Sequence, residues 1–173
     1  ALSYVSDQKD KTDRPVTFCW NGGPGGSSAM VNIGGLGPRR VPITTINQLP
    51  CPTAPEDNPY SLLPSTDLVY LDAMGTGYSK VAEGYDPKKV WGVDGDADAF
   101  MRGIAQWLTT HERWNTPLYL YGESYGTMRN SVLMRLLGER GIALTGVIEQ
   151  STILDYAPTL AGNDLYYMGM FPV

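Results

Sequence analysis

Ser124 sits in Gly122-Glu123-Ser124-Tyr125-Gly126, a G-x-S-x-G pentapeptide. A serine in this pattern can serve as a nucleophile when a sharp strand-to-helix turn lifts its hydroxyl clear of the backbone. Three fixed residue types in five recur by chance, so the setting carries the reading. Pro117 to Tyr121 read as a short buried strand. Thr127 to Leu137 read as an amphipathic helix, with Met128, Val132, Leu133, Leu136 and Leu137 on one face. The flanking glycines leave room for neighbouring backbone to pass close. The bland alternative is an ordinary strand-to-helix connection with a surface serine.

A second chemical motif is Trp20-Asn21-Gly22-Gly23-Pro24-Gly25-Gly26-Ser27-Ser28, directly after an apolar strand. Glycine-rich loops after strands can cradle phosphates. Here the Gly-Lys-Ser/Thr ending is absent, and so is G-x-G-x-x-G with a following acidic residue. Backbone N–H groups free of Cβ obstruction suit an oxyanion hole instead, where acyl transfer needs two donors aimed at the developing charge. With a serine nucleophile at such a turn, one donor is the next residue, Tyr125. The other comes from a loop of this kind.

A serine nucleophile needs a histidine base within hydrogen-bond reach. The chain has one histidine, His111, and it precedes Ser124. It falls near the end of the helix leading into the serine strand, toward the opposite end of the sheet. A cation interacting with a helix C-terminus is its simple explanation. Asp155 and Asp164 follow the serine, with no histidine after them.

The elements that must position these residues alternate. Val16 to Trp20 and Asp67 to Asp72 are strands, and Leu144 to Glu149 a further one. Ala1 to Val5 read as an edge strand and Asp7 to Arg14 as a turn. Leu36 to Ser65 hold seven of the thirteen prolines and read as a long surface excursion. Ala73 to Trp91 read as another loop, and the chain from Ile153 as irregular. Asp94 is placed to cap a helix from Gly95 to His111, whose buried stripe is Ala97, Phe100, Met101, Ile104 and Leu108. Strands alternating with helices imply an α/β fold, a mainly parallel three-layer sheet in one domain.

The 173 residues, 42% hydrophobic and 18% charged, are enough to bury a core. A net charge of −5 gives nucleic-acid binding no electrostatic support. No apolar run approaches the roughly 20 residues of a membrane span. No signal-peptide pattern opens the chain. Cys19 reads as a small buried hydrophobe, and Cys19 with Cys51 is too few for a disulfide framework. No metal or cofactor is expected.

Taken in order, Trp20-Asn21-Gly22-Gly23-Pro24-Gly25 with Ser27-Ser28, Leu36-Gly37-Pro38, Asn58-Pro59-Tyr60-Ser61, Leu71-Asp72 with Gly75-Thr76-Gly77-Tyr78-Ser79, and Gly122 to Gly126 resemble the serine carboxypeptidases. The wording of Gly37 to Val41 and Thr127 looks like bacterial members. The resemblance implies an α/β-hydrolase fold, of which this chain is the N-terminal part. The segment carrying the triad Asp and His is expected to lie in a C-terminal segment or a second chain. It implies Ser124 as nucleophile, the N–H groups of Gly23 and Tyr125 as the oxyanion hole, and Asn21 and Glu123 as the pair that recognises a peptide's terminal carboxylate. It also implies a secreted or periplasmic location. An amide donor suits a carboxylate, and a carboxyl side chain can share a proton with one. Asn21 as a loop-fixing side chain and Glu123 as a solvated neighbour are the alternatives.

Two positions depart from the family. Gly35 stands where a second Glu is often found, and Gly26 where Cys is common. Three functions stay open: a carboxypeptidase, an esterase or acyltransferase on the same scaffold, and a non-catalytic descendant.

Overall fold

The computed structural model describes residues 1–7, 13–42 and 54–153. Val16–Trp20 and Asp67–Tyr70 are buried at every position, as inner strands covered on both faces are, with Asp67 the one charged residue among them. In chain order the elements are β1 Leu2–Tyr4, β2 Val16–Trp20, a short helix α1 Ala29–Val31 running into a π turn Asn32–Leu36, and β3 Arg39–Arg40. Then follow β4 Glu56–Asp57, β5 Asp67–Tyr70, a 3₁₀ turn Pro87–Val90, α2 Val93–Thr110, β6 Leu118–Glu123, α3 Tyr125–Glu139 and β7 Gly146–Gln150.

The described residues form a five-stranded sheet in the order β1-β5-β2-β6-β7. β5, β2, β6 and β7 run parallel, and β1 closes one edge antiparallel. The mainly parallel α/β arrangement read from the sequence is therefore present. The chain goes from β2 to β5 on one side, then through α2 to β6 on the other. The strand order thus reverses at β2, and a crevice opens beyond its carboxyl end. All the chemical motifs fall there.

α2 and α3 pack on one sheet face. Phe18, Trp20, Leu118 and Leu120 from the strands meet Phe100, Ile104, Trp107 and Leu133 from the helices in the main core. Cys19, Leu68, Tyr70 and Tyr121 point to the other face, against Val31, Leu36, Leu62 and Leu63. Among the described residues that second layer is a short helical turn and irregular chain, not long helices.

Three local expectations need correction. α2 begins at Val93 behind Gly92, whose φ of 85° breaks the preceding turn, so Asp94 lies inside the first turn and caps nothing. The buried face of α3 includes Tyr125, Arg129 and Asn130 beside Leu133 and Leu137, while Met128, Val132 and Leu136 are only partly covered. Arg129 and Asn130 are buried there with polar partners, Arg129 with Asp96 of α2 and Asn130 with Glu149 of β7. The proline-rich excursion also holds structure: β3 and β4 pair antiparallel, with Arg39 bonded to Asp57 and Arg40 to Glu56 at 2.8 Å each. Cys51, Asp155 and Asp164 lie outside the described residues.

The opposite end of the sheet is tied by Asp67, whose side chain is fully buried. It accepts from Arg14 Nε and Arg113 Nη1 at 2.6 Å each and from the Ser6 amide at 2.9 Å. Burial alone would raise this carboxyl. The hydrogen bonds from Arg14, Arg113 and Ser6, with the Arg113 charge, outweigh it and hold the group below the usual range.

Candidate active site

Ser124 joins β6 to α3 at φ 55° and ψ −122°. A residue with a Cβ seldom adopts this backbone, which costs on the order of 1–3 kcal/mol and persists only where its surroundings enforce it. The enforcing contacts are visible. The Ser124 amide donates to Gln150 O at 2.9 Å. Its carbonyl accepts from the Thr127 amide at 2.9 Å and from Thr127 Oγ1 at 2.7 Å. Thr127 Oγ1 in turn accepts from the Ile153 amide at 3.0 Å.

The glycines around the serine are there for space. A Cβ on Gly122 would collide with Gly126 O and Asn130 Nδ2, and one on Gly126 with the Trp20 indole. The glycine-rich loop presses on the same turn. A Cβ on Gly22 would come within 3.0 Å of Tyr125 N and Glu123 O, nearer than real chains permit. Gly22 O accepts from Gly26 N–H at 3.0 Å and closes the loop. Gly23, at φ 114°, is exposed beside it.

Trp20 and Gly122 are partners in the parallel register of β2 and β6. The next residue of each strand is therefore also side by side, and these are Asn21 and Glu123. Asn21 Nδ2 donates to Glu123 Oε2 at 2.9 Å, while Asn21 Oδ1 accepts from Val31 N–H at 2.9 Å. Both side chains are half-buried. The structure thus brings Asn21 against Glu123, next to Ser124, and the glycine loop through Gly22 against the same turn, with Gly23 the next residue of that loop. A cavity of about 420 Å³ lies beside Pro24, Gly25, Tyr125 and Arg129.

His111 is elsewhere. Its Nδ1 donates to Trp107 O at 2.9 Å, and its ring stacks on Trp107 at 4.2 Å between centroids. It closes the C-terminus of α2. Two protic groups of the neighbouring strands, Tyr121 and Cys19, are poor bases. Burial, then the Cys19 and Glu123 charges, push the Tyr121 phenol up to about 12, and burial drives the Cys19 thiol well above its ordinary value. Both remain protonated at neutral pH. Among the described residues no group of three or more His, Cys, Asp or Glu is placed to hold a metal, and no helix is long and apolar enough to cross a membrane.

Three residues near the crevice were given no part in the site by the sequence: Asp72, Asp96 and Arg129. Asp72 accepts from Ser28 N–H at 2.7 Å and Tyr78 N–H at 3.1 Å, joining the glycine loop to the loop after β5. Arg129 and Asp96 form a buried ion pair at 2.6 Å between α3 and α2. The available signal was an Arg four residues after Tyr125, on the helix face that also carries Leu133.

A mostly parallel sheet with helices, a serine at a strained strand-to-helix turn and a glycine loop at the strand-order reversal define the α/β-hydrolase class. The crystal structure of Kex1(delta)p, a prohormone-processing carboxypeptidase from Saccharomyces cerevisiae, is similar in fold at a TM-score of 0.74 and 19% identity. The likeness covers 97% of this chain and 37% of that one. Residues 3–137 match the sequence pattern of the serine carboxypeptidase family, and the chain belongs to that family. No curated protein matches it in sequence.

Proposed function

We propose that the chain is the N-terminal portion of a serine carboxypeptidase catalytic domain, which releases C-terminal residues from peptides through an acyl-enzyme on Ser124. The observation that carries the reading is the Asn21–Glu123 hydrogen bond beside Ser124. It sets an amide donor and a carboxyl side by side, one residue from the serine, where a terminal carboxylate would be recognised. Ser124 Oγ attacks the scissile carbonyl, and its proton passes to a histidine supplied by a C-terminal segment or a second chain. The oxyanion rests on the N–H groups of Gly23 and Tyr125. The amine leaves with that proton, and water then attacks the acyl group to regenerate Ser124.

Gly35 favours a second reading, an esterase or acyltransferase. Its carbonyl accepts from Asn58 Nδ2 at 2.7 Å, and it brings no second carboxyl where the family often has one. One comparison separates the two. The full-length protein is given a blocked dipeptide acid, the matching dipeptide amide and a simple ester. Preference for the acid supports the carboxypeptidase. Turnover of the ester alone supports the second reading. Failure of a serine-directed phosphonate to label Ser124 would leave neither.

A further inference from the structure

Arg129 has a guanidinium almost wholly removed from water, and nothing in the proposed reaction uses it. Its Nε and Nη2 take the two carboxylate oxygens of Asp96 at 2.6 and 3.3 Å. The guanidinium lies 4.0 Å over the Phe100 ring and 5.3 Å from the Tyr125 ring centre. Its remaining nitrogen, Nη1, donates to Asn21 O at 2.9 Å. A buried ion pair is a poor device for stability, since apolar residues of like volume often do as well. What an apolar pair could not supply is the bond to Asn21.

That bond begins a chain of fixed peptide planes. Asn21 is held at both ends of its side chain, by Val31 N–H and by Glu123, and at its carbonyl by Arg129. The Asn21–Gly22 plane therefore cannot rotate. Gly22 is packed so closely against the turn that a Cβ built on it would collide with Tyr125 N and Glu123 O. Gly22 O is taken by Gly26 N–H. In a trans peptide the N–H points away from the carbonyl, so Gly23 N–H is turned to the other side of the loop. We infer that Arg129, oriented by Asp96, is a positioning residue that fixes the glycine loop so that Gly23 N–H stays aimed at the reacting oxygen. This rests on the acyl-transfer reading of Ser124 and adds to it a group that touches no substrate.

The test uses the full-length protein and an N-blocked amino-acid ester, which carries no free carboxylate and so leaves the Asn21–Glu123 pair out of the comparison. Two variants are made. Arg129→Lys keeps a cation for Asp96 but lacks the planar fork that reaches Asn21 as well. Asp96→Leu with Arg129→Met replaces the ion pair by apolar volume. In both, KM should stay within about twofold while kcat falls on the order of 10²-fold, as a small misplacement near the chemistry does. A peptide aldehyde, which forms a tetrahedral oxyanion on the serine, should lose affinity by the same factor as kcat. A merely structural role would lower the active fraction and leave the aldehyde affinity of the active fraction untouched. That result, or an unchanged kcat in either folded variant, overturns the inference. Should the apolar pair fail to fold, Arg129→Lys decides alone. If the unmutated protein neither turns over the ester nor takes a phosphonate on Ser124, the underlying reading falls, and that is read before any variant is made.

Discussion

Asn21 and Glu123 meet across the parallel register of β2 and β6, with 2.9 Å between the amide nitrogen and the carboxylate oxygen. Each is the first residue past, or the last within, a strand whose preceding position is already paired, so their approach follows from the sheet. Asn21 also anchors α1 through Val31 N–H. Asn21→Ala in the full-length protein should raise KM for a blocked dipeptide acid several-fold more than for its amide. The variant should also lose about 1 kcal/mol of stability with the side-chain hydrogen bonds. Steady-state kinetics on the matched pair checks the first, and thermal melting the second. Equal changes for acid and amide would make Asn21 only a loop anchor.

Gly22 has a sharper steric role than Gly23. Gly22→Ala puts a methyl group against Tyr125 N and Glu123 O, backbone atoms that cannot swing aside. Loop and turn must separate, and the donors on each side of the crevice separate with them. The expected result is a kcat lower by about 10²–10³-fold, the loss typical of one missing oxyanion donor, with KM nearly unchanged. An active Gly22→Ala enzyme would show that the loop does not contribute to the transition state.

Much of this arrangement was legible in the chain because its signals are local. The runs Val16 to Trp20 and Leu68 to Tyr70 are mostly apolar without alternation, as inner parallel strands are. Alternation of such runs with the helical stripe of Ala97, Phe100, Met101 and Ile104 gave the layered fold. The place of Ser124 followed from its strand-before, helix-after setting. Asn21 and Glu123 were reached by resemblance, since nothing in their spacing shows that β2 and β6 are neighbours. Arg129 was passed over because a helical pattern assigns polar residues to solvent, although its spacing from Tyr125 and Leu133 puts it on their buried face. Its partner Asp96 lies in the first turn of α2, where an acid already has a local explanation in the helix dipole. The pairing of β3 with β4 was hidden for a similar reason: Arg39, Arg40, Glu56 and Asp57 are charged and far apart in the chain, and their antiparallel pairing with its cross-strand ion pairs shows only in the structure.

The far end of the sheet predicts the acid behaviour. Asp67 titrates below its ordinary value in the folded protein. Its folded-state value is thus lower than its unfolded one, so its contribution is complete above about pH 4, the ordinary carboxylate value, and is lost as pH falls through the folded value. Melting temperature measured from pH 7 downward should drop below pH 4, and Asp67→Asn should be less stable at pH 7 with a shallower fall. Arg113→Ala is the harsher change. It strips Asp67 of one of its two guanidinium partners in a buried site and should cost about 3–5 kcal/mol. A pH profile of Asp67→Asn parallel to that of the unmutated protein would mean the acid transition arises elsewhere.

The strain at Ser124 gives the most specific expectation. At φ 55° a residue with a Cβ is held in a conformation that glycine adopts freely. Ser124→Ala keeps the Cβ and therefore the strain, so its melting temperature should match that of the unmutated protein. Ser124→Gly removes the strain but adds freedom to the unfolded chain, which returns roughly 0.5–1 kcal/mol of the 1–3 kcal/mol released. A net gain of about 1 kcal/mol is expected, a few degrees in the melting temperature of a domain this size. Both variants should lose phosphonate labelling, because neither has the hydroxyl. The two readouts together separate backbone from chemistry: the alanine variant is inactive at unchanged stability, and the glycine variant is inactive and more stable. If Ser124→Gly melts lower than Ser124→Ala, the contacts from Gln150 and Thr127 do not hold this turn against its preference, and the energetic cost assigned to the serine is wrong.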